Sequence, residues 1–278
     1  IIAFIREYLI RGFMTSDMVE EVLGISVISN IQEVDEKIMQ KEAGTILLHE
    51  YIRHKPLSSF AESIRKIRVQ AEGVHATTGE GQSVLVTSSV PNEGKTEIAT
   101  SYAASAANAG NNVVVVDCDF RNPSVAKLFG VDVAQGLGEY LMGSVDLRDL
   151  IHKNVRENID FIGINQIPKS PSDTLKTGKL QKLLDELKQR YQFVIMDTPP
   201  LAPVVDTAVI ANCVDHIVYV TAWETTPRDV VKSTIKTLDK SKEKIAGIVL
   251  NRIDPKRESK YGYYYGYALK NYAKYYDA

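Results

Sequence analysis

The chain has 278 residues, 44% of them hydrophobic and 24% charged, which suits one large α/β domain or two small ones and excludes disordered, collagen-like and disulfide-scaffold classes. Thirty-three Lys and Arg face 35 Asp and Glu, a net charge of -2 that argues against nucleic acid as a partner, since phosphate binding needs a basic excess. The two cysteines, Cys118 and Cys213, sit in apolar runs and read as free thiols in a reducing compartment.

In chain order, IIAFI followed by REYLIR has two readings. It is either the edge of a fragment cut just past a hydrophobic segment, with Arg6 and Arg11 as flanking positive charges, or the start of an amphipathic helix. No run reaches the ~18 apolar residues of a membrane span. A short helix over SDMVEEVL, with Ser16 as N-cap, and a β-rich GISVIS follow. Residues 58–72 place Phe60, Ile64, Ile67 and Ala71 on one helical face and Glu62, Arg65 and Arg68 on another. Beyond HATTGEGQ, strands are predicted over 83–88, 113–117, 159–164, 193–197, 216–221 and 245–251, alternating with helices. The clearest helix carries Leu180, Leu183, Leu184 and Leu187. This pattern implies a mainly parallel sheet covered on both faces, with ligands bound beyond the carboxyl ends of its strands.

The first strong strand runs into SSVPNEGKT and an Ala-rich helix. Strand, loop, GKT and helix N-terminus make up a phosphate cradle: backbone N–H groups surround phosphate oxygens, Lys95 reaches the β- and γ-phosphates, and the Thr96 hydroxyl takes Mg²⁺. The loop residues Ser89, Pro91, Asn92, Glu93 and Gly94 are the other candidate nucleotide contacts, although Ser89 stands where the P-loop pattern has its first glycine. Two further strands end in carboxylates: VVVVDCDFR in Asp117 and Asp119, and FVIMDTPP in Asp197. The DxD spacing aims both aspartates to one side of an extended strand. Three carboxylates beside a triphosphate repel it unless Mg²⁺ lies between, so metal-dependent nucleotide chemistry is expected, with Thr96, Asp119 and Asp197 as metal residues. Asp117 is either the acceptor of a substrate proton or an outer metal carboxylate.

SSVPNEGKT, VVVVDCDFR and VIMDTPP resemble the Walker A, A′ and B motifs of the bacterial tyrosine kinases, and Glu62, Arg65 and Arg68 resemble that family's ExxRxxR motif. The resemblance implies a P-loop NTPase-like α/β fold of the ParA/MinD-related deviant Walker type. It implies a juxtamembrane segment over 1–55, a kinase domain over 56–253 and a flexible tail over 254–278. It also implies ATP-dependent autophosphorylation with Asp117 as proton acceptor, a homo-oligomeric ring docked through Glu62, Arg65 and Arg68, and a transmembrane and periplasmic co-polymerase part upstream. The implied location is the cytoplasmic face of a bacterial inner membrane, with a role in capsule or exopolysaccharide production and a tyrosine phosphatase as a partner. Two departures stand out. Glu97 occupies the place of a second Ser or Thr, and Val90 stands where the alternative family, the ParA/MinD ATPases, carries a signature lysine.

Of the 14 tyrosines, eight crowd the end of the chain: Tyr261, Tyr263, Tyr264, Tyr265, Tyr267, Tyr272, Tyr275 and Tyr276. Gly262 and Gly266 give flexibility, and Lys256, Arg257 and Lys260 solubility. About ten residues separate Asn251 from Tyr261, a reach of at most ~35 Å, so the tail can meet its own site or a neighbour's. These tyrosines are the expected phosphoacceptors.

Overall fold

The computed structural model describes residues 11–72, 81–156 and 158–258. Arg6 and the eight tail tyrosines lie outside the described residues. An eight-stranded sheet organises the chain: β1 (Val27–Gln32), β2 (Gln82–Ser88), β3 (Val113–Asp117), β4 (His152–Arg156), β5 (Ile159–Ile162), β6 (Phe193–Asp197), β7 (His216–Ala222) and β8 (Ile245–Ile253). Their spatial order is β1-β8-β7-β2-β6-β3-β5-β4. Every neighbouring pair is parallel except β4 and β5.

Both sheet faces are buried, which is why β3, β6 and the centre of β2 read as apolar runs. Alternation sorts their side chains into two cores. Leu85, Val114, Val116, Val194 and Met196 face one, with Leu180, Leu183, Leu184 and Leu187 of the helix Lys179–Lys188. Val84, Val86, Val113, Val115 and Ile195 face the other, with Phe60, Ile64, Ile67 and Ala71 of the helix Ser59–Glu72. The helix Lys95–Asn108 buries every residue from Ile98 to Ala107. Its alanines let it sit between the sheet and the helices Leu48–His54 and Ser59–Glu72.

The first helix, Ser16–Leu23, is capped by Thr15, whose side chain accepts from the Met18 N–H. Ser16, expected as the cap, instead exchanges hydrogen bonds with Asn30. The β-rich run is shifted to 27–32 and pairs in parallel with β8, so the segment 1–55 contributes a strand to the main sheet. Among the described residues no helix is long and apolar enough to cross a membrane.

The loop after β7 gathers distant parts of the chain. Trp223 Nε1 donates to the Met14 carbonyl at 2.9 Å, Glu224 N–H to Phe13 at 2.8 Å, and Arg228 Nε to Gly12 at 2.9 Å. A Cβ on Gly12 would lie 2.3 Å from the Glu224 backbone, so only glycine fits there. Arg257, at the root of the tail, pairs with Glu224 and lies 5.3 Å over the Trp223 ring.

Candidate active site

Parallel pairing of β2, β6 and β3 brings three carboxyl ends to one edge, with Asp117 and Asp197 as register partners. The loop leaving β2 closes over Asn92, at φ 66, and Gly94, at φ 93, the left-handed backbone that turns it into the helix Lys95–Asn108. A Cβ at Gly94 would meet Asn251 Nδ2 at 2.2 Å. That amide donates to the Glu93 carbonyl at 2.8 Å and holds the loop from β8.

At the loop's end, Lys95 Nζ lies 3.1 Å from Asp119 Oδ2 and 3.8 Å from Asp197 Oδ1, while Thr96 Oγ1 donates to Asp197 Oδ2 at 2.8 Å. Burial alone would lower the Lys95 pKa; Asp197 and Asp119 beside it raise it above the usual lysine value. Burial drives the Asp197 carboxyl upward, against the pull of Lys95 and Thr96. The fully buried Asp197 Oδ1 has no hydrogen-bond partner, an orphaned acceptor suited to a metal-bound water. Among the described residues no three His, Cys, Asp or Glu converge as an all-protein metal cage. Mg²⁺ needs none, because it keeps waters and phosphate oxygens and takes only one or two protein oxygens.

Asp117 does not face this point. β3 ends at Asp117, so the strand alternation expected to align it with Asp119 stops there. Its Oδ1 accepts from the Asp119 N–H at 3.0 Å, and its Oδ2 from Ser124 at 3.1 Å and Val125 at 3.2 Å. The side chain is wholly enclosed, and burial followed by Asp197 raises its pKa. In this position both carboxylate oxygens are taken up by backbone N–H groups. The side chain shapes the loop that carries Asp119.

The predicted loop contacts divide. Pro91 and Asn92 are exposed at the tip. Ser89 turns inward, with Oγ 2.7 Å from the Tyr219 hydroxyl, which is itself 2.6 Å from Thr234 Oγ1. Glu93 is 1% exposed and also points into the protein. Its Oε2 accepts from Val90 N–H at 2.8 Å, and its Oε1 from Ala222 N–H at 2.9 Å and the Thr226 hydroxyl at 2.5 Å. Burial raises the Glu93 pKa against the lowering effect of these bonds. Both residues can therefore serve a ligand only through the backbone. Glu97 is half exposed, with Oε2 3.6 Å from Arg252 Nη2, and its charge adds to the upward shift of Asp197. Asn251, Tyr219, Thr226 and Thr234 escape sequence reasoning because no motif surrounds them.

On the helix Ser59–Glu72, Glu62 pairs with Arg65, whose Nη2 also donates to the Pro56 carbonyl at 3.0 Å. Part of the expected docking trio is thus engaged within the chain itself, while both side chains keep partial exposure.

The fold and this edge define a P-loop NTPase-like protein. A protein-family profile described as an AAA domain matches residues 92–249, more than half of the chain. EpsB of Ralstonia nicotianae, named for tyrosine-protein kinase activity, is 30% identical over 276 residues, covering 98% of this chain and 36% of that protein. The tyrosine-protein kinase CpsD of Streptococcus agalactiae is 32% identical, covering 63% of this chain and 76% of its own length. The kinase domain of the Escherichia coli tyrosine kinase ETK superposes with a TM-score of 0.75 at 27% identity, over 84% of this chain and 92% of that one. The septum-site protein MinD of Pyrococcus horikoshii, solved with Mg-ADP, gives a TM-score of 0.55 at 21% identity, covering 65% of this chain and 76% of its own; it shares the fold. The chain belongs to the bacterial tyrosine-protein kinase family. It spans about a third of the length of EpsB.

Proposed function

We propose that this chain is the catalytic part of an ATP- and Mg²⁺-dependent tyrosine autokinase that phosphorylates its own cluster Tyr261–Tyr276, between subunits of a homo-oligomeric ring. The observation that carries the reading is the placement of Lys95 and Thr96 against Asp119 and Asp197 at the end of a P-loop. The backbone N–H groups of residues 92–96 bind phosphate oxygens, and Lys95 leaves its carboxylate partners for the β- and γ-phosphates. Thr96 and Asp119 would hold Mg²⁺, with Asp197 behind a water; the ion supplies neutralisation of charge on the transferred group. A tail phenol forms a bond to the γ-phosphorus as the bond to the bridging oxygen breaks, the electron pair leaves with ADP, and the phenolic proton passes to water.

In this reading the whole protein continues upstream into a transmembrane and periplasmic co-polymerase part. It works at the cytoplasmic face of a bacterial inner membrane in capsule or exopolysaccharide production, and a tyrosine phosphatase resets the tail. The CpsD and ETK relatives support it, as does Val90 in place of a second loop lysine, which weighs against a ParA/MinD-like ATPase switch. Mass spectrometry after incubation with Mg·ATP tests it: phosphotyrosine in 261–278 is expected, and phosphate release with an unmodified tail would favour the ATPase instead. For assembly, Arg65→Ala with Arg68→Ala should give a folded monomer with impaired tail phosphorylation. Light scattering that finds one mass for parent, variant and phosphorylated protein would refute the ring.

A further inference from the structure

Arg121 lies two residues past Asp119, and its N–H donates to Asp119 Oδ1 at 3.2 Å. The other oxygen of that carboxylate contacts Lys95. One carboxylate therefore separates the Arg121 backbone from the P-loop lysine. The side chain then crosses to Asp206, with Nε 3.3 Å from Oδ2.

Asp206 is 0% exposed, at the start of the helix Asp206–Ala211, and its second oxygen accepts from the Ser172 hydroxyl. The segment leading to it is bonded to the P-loop's base, Leu201 N–H to the Ser88 carbonyl at 2.9 Å and Ala202 N–H to Ser89 at 3.0 Å. The Arg121–Asp206 pair thus spans the loops after β3 and β6 along the flank of the phosphate site.

The pairing is lopsided, a sealed carboxylate against a guanidinium side chain that is 51% exposed. Burying a carboxylate is a weak source of stability, but it fixes the orientation of its partner. Arg121 is held through Nε, and among the described residues its two terminal nitrogens make no hydrogen bond. They form a planar two-donor edge that matches two oxygens of a phosphoryl group. Lys95 is the P-loop's sole lysine, because Val90 fills the other position.

We propose that Arg121 is a second phosphoryl clamp, with Asp206 as its positioning residue, and that its ligand is a terminal phosphoryl dianion, either the γ-phosphoryl of ATP or the phosphate on a product tyrosine. The proposal rests on the phosphoryl-transfer reading of the site. It does not depend on which group accepts the phosphoryl.

The test compares parent, Arg121→Ala, Arg121→Lys and Asp206→Asn chains with Mg²⁺, by calorimetric titration with ADP, with the non-hydrolysable ATP analogue AMPPNP, and with phenyl phosphate added to the ADP-loaded protein. Circular dichroism checks folding; Arg121 is exposed enough for its replacement to leave the core intact even if Asp206→Asn does not fold. Arg121→Ala should bind ADP within about twofold of the parent and lose about tenfold or more in affinity for AMPPNP or phenyl phosphate. Loss on AMPPNP assigns the clamp to the γ-phosphoryl, and loss on phenyl phosphate alone assigns it to the product. Arg121→Lys should recover part of the loss, since an ammonium lacks the planar edge, and Asp206→Asn should repeat it in weaker form. A folded Arg121→Ala that binds all three ligands like the parent would overturn the proposal. So would equal losses for ADP and AMPPNP, which would make the pair a staple between loops. An unmodified tail in the parent would sink the kinase reading and leave this result untouched.

Discussion

Glu93 offers the sharpest test of how the fold prepares the phosphate loop. Its carboxylate accepts from the Val90 and Ala222 N–H groups and the Thr226 hydroxyl while 1% exposed. In Glu93→Gln the volume is kept but one oxygen becomes an NH₂ donor. Placed at Oε2 it faces the Val90 N–H, and placed at Oε1 it faces the Ala222 N–H, whereas the Thr226 hydroxyl can rotate to accept. Either way one backbone donor loses its acceptor, at ~1 to 3 kcal/mol, and the remaining bonds lose their charge assistance. The neutral amide recovers part of this because burying the carboxylate was itself costly. A net loss of about 1 to 3 kcal/mol should lower the melting temperature by roughly 3 to 10 °C. Because Val90 and Glu93 flank the turn that aims the loop's N–H groups, nucleotide affinity should fall with it. Thermal unfolding and titration with a fluorescent nucleotide check both. A Glu93→Gln chain that melts within a degree of the parent and binds nucleotide as tightly would refute the claim that this carboxylate braces the loop.

Lys95→Met should abolish tail phosphorylation with the fold retained. By stripping the cation from Asp197 it raises that buried carboxyl's folded pKa further, so its stability relative to the parent should decline as pH rises from 5 to 8 in melting curves. Asp117→Asn should weaken nucleotide binding and transfer to a similar degree, since an amide cannot accept from Asp119, Ser124 and Val125 together; loss of transfer alone in kinetic assays would restore Asp117 as proton acceptor. Glu97→Thr should leave nucleotide affinity within about twofold by titration, because the carboxylate turns to Arg252. His49, buried against Phe129, has its pKa lowered by burial from 6.5 to about 4. Its depressed folded value means that stability present above pH ~6.5 is lost as pH falls toward 4, on the order of 3 kcal/mol, and acid titration of His49→Leu should lack that loss.

The central strands, the GKT turn and the leucine helix were legible because each is specified by neighbours in sequence: unbroken apolar runs, a strand-to-helix glycine turn, a 3.6-residue period. β4 was not. His152–Arg156 is polar, Lys153 and Asn154 are exposed, and an antiparallel edge strand wetted on its rim has no apolar signature. β1 was read as a β-rich run, yet its role is set by β8, where Val27 meets Ile248. The same distance hides the direction of Glu93, whose anchors Ala222 and Thr226 lie 129 and 133 residues further on. Spacing announced a phosphate loop; which side chains serve ligand and which serve scaffold is decided by strands that arrive later. DxD misled for a local reason, since the strand stops at its first aspartate.

The loop after β7 sets a practical boundary for anyone shortening this chain. Its backbone and side chains take hydrogen bonds to the carbonyls of Gly12, Phe13 and Met14, Arg257 covers Trp223 from the other end, and Ala222 and Thr226 anchor the phosphate loop through Glu93. A recombinant product that starts at Thr15 would keep every candidate site residue, yet it would bare the indole, the Glu224 N–H and the Arg228 guanidinium beside the phosphate loop's anchors. A border drawn from motifs alone, at residue 56, would remove these three carbonyls as well.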